Sequence, residues 1–134
     1  DSPDDLMGIS VALGKQGISS IPIHYRGSAE AQEAYDACKG AALALPRIII
    51  TDIQMNHGGA SPSKTDLANV ARCLEEIVSQ ISGPYIILAW TSIPGHFTDL
   101  KDYVEKYFKK KNYNQPLYFG SICKNQCYWY NELA

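Results

Sequence analysis

The sequence predicts an α/β fold, a parallel β-sheet covered by helices on both faces, and three observations carry that expectation. Helix-like and strand-like segments alternate along the 134 residues in the order α-β-α-β-α-β-α-β, the arrangement that builds parallel sheets through helical crossovers. Two strand segments, Ile48-Ile49-Ile50 and Tyr85-Ile86-Ile87-Leu88-Ala89-Trp90, are unbroken apolar runs. Such runs suit strands buried on both faces. Three of the strand segments run into polar groups of different chemistry, Asp52, Thr91 and Lys124. In open α/β sheets the carboxyl ends of strands are where ligands sit.

The elements follow in order. Pro3 to Gln16 reads as a helix: Ser2 can cap it, Pro3 suits the first helical position, and Asp4 and Asp5 suit the positive end of its dipole. Leu6, Ile9 and Leu13, with Met7 nearby, form its apolar face, and Gly17 stops it. Ile21 to Tyr25 reads as a short strand, with Pro22 best placed at its start or on an edge. Ser28 to Leu45 is an alanine-rich helix closed by Pro46, which leads into the Ile48–Ile50 strand. Asn56 to Thr65, with Gly58-Gly59 and Ser61-Pro62-Ser63, has no apolar periodicity and is long for a strand-to-helix connection, which points to a functional loop.

Asp66 to Ile81 places Leu67, Val70, Leu74, Ile77, Val78 and Ile81 at helical spacing, and Gly83-Pro84 breaks it. The Tyr85–Trp90 strand ends in Thr91-Ser92. Phe97 to Lys111 is a helix with Leu100, Tyr103, Val104, Tyr107 and Phe108 on one side. Pro116 to Cys123 is the last strand, followed directly by Lys124.

Length and charge narrow the function classes. A chain of this length fits one domain and buries roughly two-thirds of the surface its unfolded form exposes. A net charge of −2 and a pI near 5.9 argue against an electrostatic nucleic-acid or membrane binder. Lys109-Lys110-Lys111 complements a helix dipole. Cys38, Cys73, Cys123 and Cys127 include no Cys-x-x-Cys pair, and buried free thiols in a cytosolic protein are the plain reading. No apolar run approaches the roughly 18 residues of a membrane span, so a soluble, cytoplasmic chain is expected. His24, His57 and His96 show no metal-ligand spacing.

Taken alone, Asp52 is equally an ordinary turn carboxylate, Thr91 a β-branched strand residue, Lys124 a solvated residue after a strand and Asp1 a helix-capping acid. Taken together, the motifs resemble the receiver domain of bacterial response regulators. The matching residues are Asp1-Ser2-Pro3-Asp4-Asp5, Thr51-Asp52-Ile53-Gln54-Met55, Thr91 and Lys124, in family order across the whole chain. Trp90-Thr91 is closer to the divergent branch of that family than to the chemotaxis type.

The resemblance implies a flavodoxin-like, doubly wound fold with strand order 2-1-3-4-5. It implies Asp52 as acceptor of a phosphoryl group from a histidine kinase or phosphotransfer protein, and an output module in cis or trans. It further implies Mg²⁺ held by Asp1, Asp52 and the Gln54 carbonyl, with Thr91 and Lys124 binding phosphoryl oxygens. Receiver domains self-dephosphorylate rather than act as conventional enzymes, and they often dimerise through the last two helix–strand units.

The chain departs from the pattern in several places. It opens where the family's first strand should have ended, and 125–134 is short for a closing helix, so a single receiver-like domain over 1–134, truncated at both ends, is expected. Asn56 and Asn125 stand where prolines are common, and Ser121 stands where the family keeps a switching aromatic. A pseudo-receiver, using the fold for protein interaction or dimerisation without phosphoryl chemistry, is therefore the alternative. A nucleotide-binding flavodoxin-like protein lacks support, because no Gly-x-Gly-x-x-Gly or P-loop follows a strand.

Overall fold

The computed structural model describes residues 3–23, 31–52, 63–91 and 94–123. Four helices and three strands follow one another as α1 (Pro3–Lys15), α2 (Ala31–Ala42), β1 (Ile48–Asp52), α3 (Lys64–Val78), β2 (Ile86–Thr91), α4 (Pro94–Lys111) and β3 (Tyr118–Cys123). The strands form one parallel sheet in the order β1-β2-β3. Ile48 is level with Ile86, Ile86 with Tyr118, Asp52 with Trp90, and Thr91 with Cys123.

Side-chain alternation divides the sheet. Ile49, Ile87, Ala89 and Phe119 lie on one face and are buried with Ala34 and Cys38 of α2, Val70, Leu74 and Ile77 of α3, and Leu100, Val104 and Phe108 of α4. α3 packs between α2 and α4, and α4 lies on β2 and β3. Phe97 meets Phe119 edge-on, with ring centroids 5.7 Å apart. On the other face Ile48, Ile50 and Tyr118 are exposed. The expectation that Ile48–Ile50 is buried on both faces is thus corrected. β1 is an edge strand among the described residues, and only Ile49 reaches the helix-packed core. α1 buries Ile9 and Ala12 outside that core cluster.

Each boundary has a local cause. α1 ends at Gly17, whose φ of 78° a residue without a Cβ adopts at no cost. α2 stops before the expected Leu45. Leu43, Ala44 and Leu45 donate to the carbonyls three residues back, and Leu45 turns to φ 51° ahead of Pro46. A residue preceding proline is disfavoured in the helical region. The expected strand at Ile21–Tyr25 is not formed over Ile21–Ile23, and His24 and Tyr25 lie outside the described residues. Pro22 has no N–H to give a ladder, and Ile23 packs its side chain against the core instead.

α3 begins two residues earlier than its apolar periodicity suggests, because Ser63-Lys64-Thr65-Asp66 is a capping box. The Asp66 N–H donates to the Ser63 hydroxyl at 3.1 Å and the Ser63 N–H to the Asp66 carboxylate at 3.0 Å. Ser63→Ala is expected to lower unfolding stability by about 1 kcal/mol, read as a lower urea midpoint at unchanged slope, with Ser63→Asp recovering most of the loss. α4 likewise begins early, at Pro94, since proline favours the first helical position.

Candidate functional site

The candidate site is the carboxyl edge of the sheet. In a parallel sheet all strands reach the same edge, so residues distant in sequence end side by side. Asp52 closes β1 and Thr91 closes the adjacent β2. Asp52 is level with Trp90, and Thr91 stands one residue further along, level with Cys123. Asp52 is half-buried, whereas Thr91 and Trp90 are buried at 6% and 7% exposure. Thr51, also half-buried, donates its hydroxyl to the Asp52 carbonyl at 2.9 Å. A half-buried carboxylate and a buried hydroxyl thus end adjacent strands one register step apart, on backbones locked by a ladder. Apolar strands set the register, and the first polar residues past the core come together at the edge.

Of the sequence-predicted site residues, the structure places Asp52 and Thr91 on neighbouring strands at one edge. Lys124 follows Cys123, the last residue of β3, and lies outside the described residues, as do Asp1 and Gln54. So do Asn56 and Asn125, and the expected Asn56–Thr65 loop as far as residue 62. Trp90 is a site neighbour that apolarity alone does not single out. Its buried place level with Asp52 depends on the strand register.

Two other features compete for attention and read differently. A dense polar cluster lies at the far end of α3 and α4. There the Glu75 carboxylate accepts from the Tyr107 hydroxyl at 2.5 Å, the Tyr113 hydroxyl at 2.9 Å and the Lys111 ammonium at 3.4 Å. Partial burial pushes the Glu75 pKa up, but the donors from Tyr107, Tyr113 and Lys111 outweigh it and hold it below the ordinary value. With its lone pairs committed to three side chains of its own chain, Glu75 serves as a clamp between α3 and the end of α4. An open groove of about 660 Å³ lies between α4 and β3, lined by Lys101, Lys106, Lys109, Leu117 and Tyr118 among others. Its Lys101 is paired with Glu105 at 3.4 Å, and the Gln115 amide in its lining donates to the Glu105 carbonyl at 3.2 Å.

No group of three or more His, Cys, Asp or Glu side chains able to hold a metal occurs among the described residues. Asp52 by itself is a hard oxygen donor of the kind Mg²⁺ takes, and Mg²⁺ commonly binds one or two carboxylates while keeping several waters. Among the described residues no helix is long and apolar enough to cross a membrane. The chain has no significant match to a family model, a curated protein or a solved structure.

Proposed function

We propose that the chain is a phospho-accepting receiver domain of flavodoxin-like fold, in which Asp52 takes a phosphoryl group from a histidine kinase or phosphotransfer protein and so switches an output module. The observation that supports this most is the placement of Asp52 and Thr91 at the ends of adjacent parallel strands, on the edge where such sheets bind ligands. The order β1-β2-β3 is compatible with strands 3-4-5 of the receiver order. The packing of α2, α3 and α4 on one sheet face is compatible with a doubly wound architecture.

In this reading a carboxylate oxygen of Asp52 attacks phosphorus in line with the leaving group. A P–O bond to Asp52 forms as the bond to the donor nitrogen breaks. The Thr91 hydroxyl donates to a phosphoryl oxygen, and the Lys124 ammonium balances the new charge of roughly −1.5 to −2. Mg²⁺, held by Asp52 with Asp1 and the Gln54 carbonyl, would supply charge neutralisation between nucleophile and phosphoryl oxygens. The buried ladder keeps Asp52 and Thr91 in fixed relation, so that positioning and electrostatics supply the rate. Dimerisation of the domain belongs to the same proposal.

The alternative, a pseudo-receiver acting through protein contacts, is favoured by one observation. Ser121 occupies the place of the switching aromatic, and the nearby aromatics Tyr118 and Phe119 are out of register with it. Phe119 is buried in the core against Phe97. Tyr118 lies over Gly120, where an added Cβ would come within 2.5 Å of its ring.

Intact-mass spectrometry of the full-length protein with a small phosphodonor and Mg²⁺ separates the two. The receiver reading expects a single phosphoryl adduct that Asp52→Ala abolishes and that chelation of Mg²⁺ reduces at least tenfold. An unmodified mass in the folded protein would overturn that reading in favour of the pseudo-receiver.

A further inference from the structure

Cys38 and Cys73 face each other across the interface of α2 and α3. Both are free and buried, at 4% and 8% exposure, within the core cluster. Each thiol is near enough to shift the titration of the other. The register that brings them together is held one turn away, where the Tyr35 hydroxyl of α2 donates to Asn69 of α3 at 3.0 Å and the Arg72 guanidinium lies 5.1 Å from the centre of the Tyr35 ring. Cys38 shares the buried face of α2 with Ala34, Ala41 and Ala42. Side chains this small let two helices approach more closely than the usual 8–10 Å, which favours the short Cα–Cα distance a disulfide needs.

We propose that Cys38 and Cys73 form a peroxide-oxidisable dithiol, which closes into a disulfide that ties α2 to α3. Two thiols in contact inside a core are more than small apolar fillers, since each is positioned to resolve an oxidised form of the other. Either thiol is placed to attack first, and the same steps hold with Cys38 and Cys73 exchanged. The Cys73 thiol beside it lowers the Cys38 pKa despite burial and nearby Glu76. The neighbouring Cys38 and burial push the Cys73 pKa up.

The oxidant is a small hydroperoxide, suited to a site with so little exposure. The Cys38 thiolate attacks one peroxide oxygen, forming an S–O bond as the O–O bond breaks, and the departing hydroxide takes up a proton to leave as water. The Cys73 sulfur then attacks the sulfenic sulfur of Cys38, forming the S–S bond as the S–O bond breaks. Hydroxide leaves with the Cys73 proton as a second water. Two thiols are oxidised by two electrons and one peroxide is reduced to two waters. α2 packs mainly on α3, so its local opening admits the oxidant, and the cross-link removes that freedom. α2 and α3 are the helices on either side of β1 in the chain, so the link braces the strand that ends in Asp52.

The test is disulfide mapping of the reduced full-length protein after a few equivalents of hydrogen peroxide, quenched with an alkylating agent and digested without reduction. The expected product has lost two hydrogens and yields a peptide joining Cys38 to Cys73, and its melting temperature is higher by about 5 °C or more. In Cys73→Ala and in Cys38→Ala the remaining thiol has lost its resolving partner, so its sulfenic acid is expected to persist and be trapped by a dione probe. Failure of either variant to fold leaves the wild-type map decisive. Recovery of Cys38 and Cys73 as free thiols, or their linkage to Cys123 or Cys127 instead, would overturn the proposal.

Discussion

Phe108→Ala is expected to lower the free energy of unfolding by about 3–5 kcal/mol, the cost of truncating a fully buried aromatic. Phe108 has no solvent exposure and belongs to the core cluster that joins α3, α4 and the sheet. Its ring meets Tyr113 edge-on at 6.0 Å and 83°, and stands 6.3 Å from the Tyr107 ring. Removing it takes away apolar burial and both ring contacts at the point where α4 turns back towards β3. Small domains have only about 5–15 kcal/mol in total, so the variant should be partly unfolded near physiological temperature. Urea unfolding followed by circular dichroism measures the loss. Phe108→Leu, which keeps most of the volume, is expected to cost under about 1.5 kcal/mol. A loss below about 1.5 kcal/mol for the alanine variant would mean that α4 does not seat its aromatic face in this core.

Glu75→Ala is expected to cost about 2 kcal/mol, since hydrogen bonds to a charged acceptor contribute more than neutral ones and several are lost together. Glu75 is only 14% exposed, and its ion-pair partners Lys111, at 47%, and Arg72, at 51%, add little. The tyrosine hydroxyls are therefore the larger part. The same clamp sets a pH dependence. Because the folded Glu75 pKa is depressed, the unfolded chain binds the proton more readily. The contribution is complete above the ordinary glutamate value of about 4.3 and is lost as pH falls through the lower folded value. Tyr107 acts in the opposite sense. Burial and its bond to Glu75 raise its pKa, so its contribution is complete below the ordinary tyrosine value of about 10 and declines as pH rises above it. The difference in stability between wild type and Glu75→Gln should be flat from about pH 5 to 9 and shrink on both sides. A difference that does not change between pH 3 and 5 would show that Glu75 is not the charged centre of the clamp.

Neither the Glu75 clamp nor the Cys38–Cys73 contact is legible in the chain. Glu75, Tyr107, Tyr113 and Lys111 come from three stretches with no shared motif, and they meet only because α4 packs against α3. The cysteines likewise show no motif spacing, and their meeting depends on the register of α2 against α3. The start of α3 was legible in the capping box at Ser63 and the start of α4 in Pro94, both stronger local signals than the apolar periodicity that began each helix too late. The Ile21–Tyr25 segment has strand-forming residues but no described partner strand, and composition alone cannot supply one.

Local sequence therefore determined the α/β class, the four helices and three of the strands, because periodicity, caps, prolines and Gly17 act within a few residues. It also placed Asp52 and Thr91 at strand ends, since each follows an unbroken apolar run. Tertiary structure alone decided that these two strands are neighbours in the order β1-β2-β3, and that among the described residues one sheet face carries the main helix-packed core. It also decided which polar side chains and thiols meet. Those outcomes depend on packing and register between segments far apart in the chain, where no single segment carries the information.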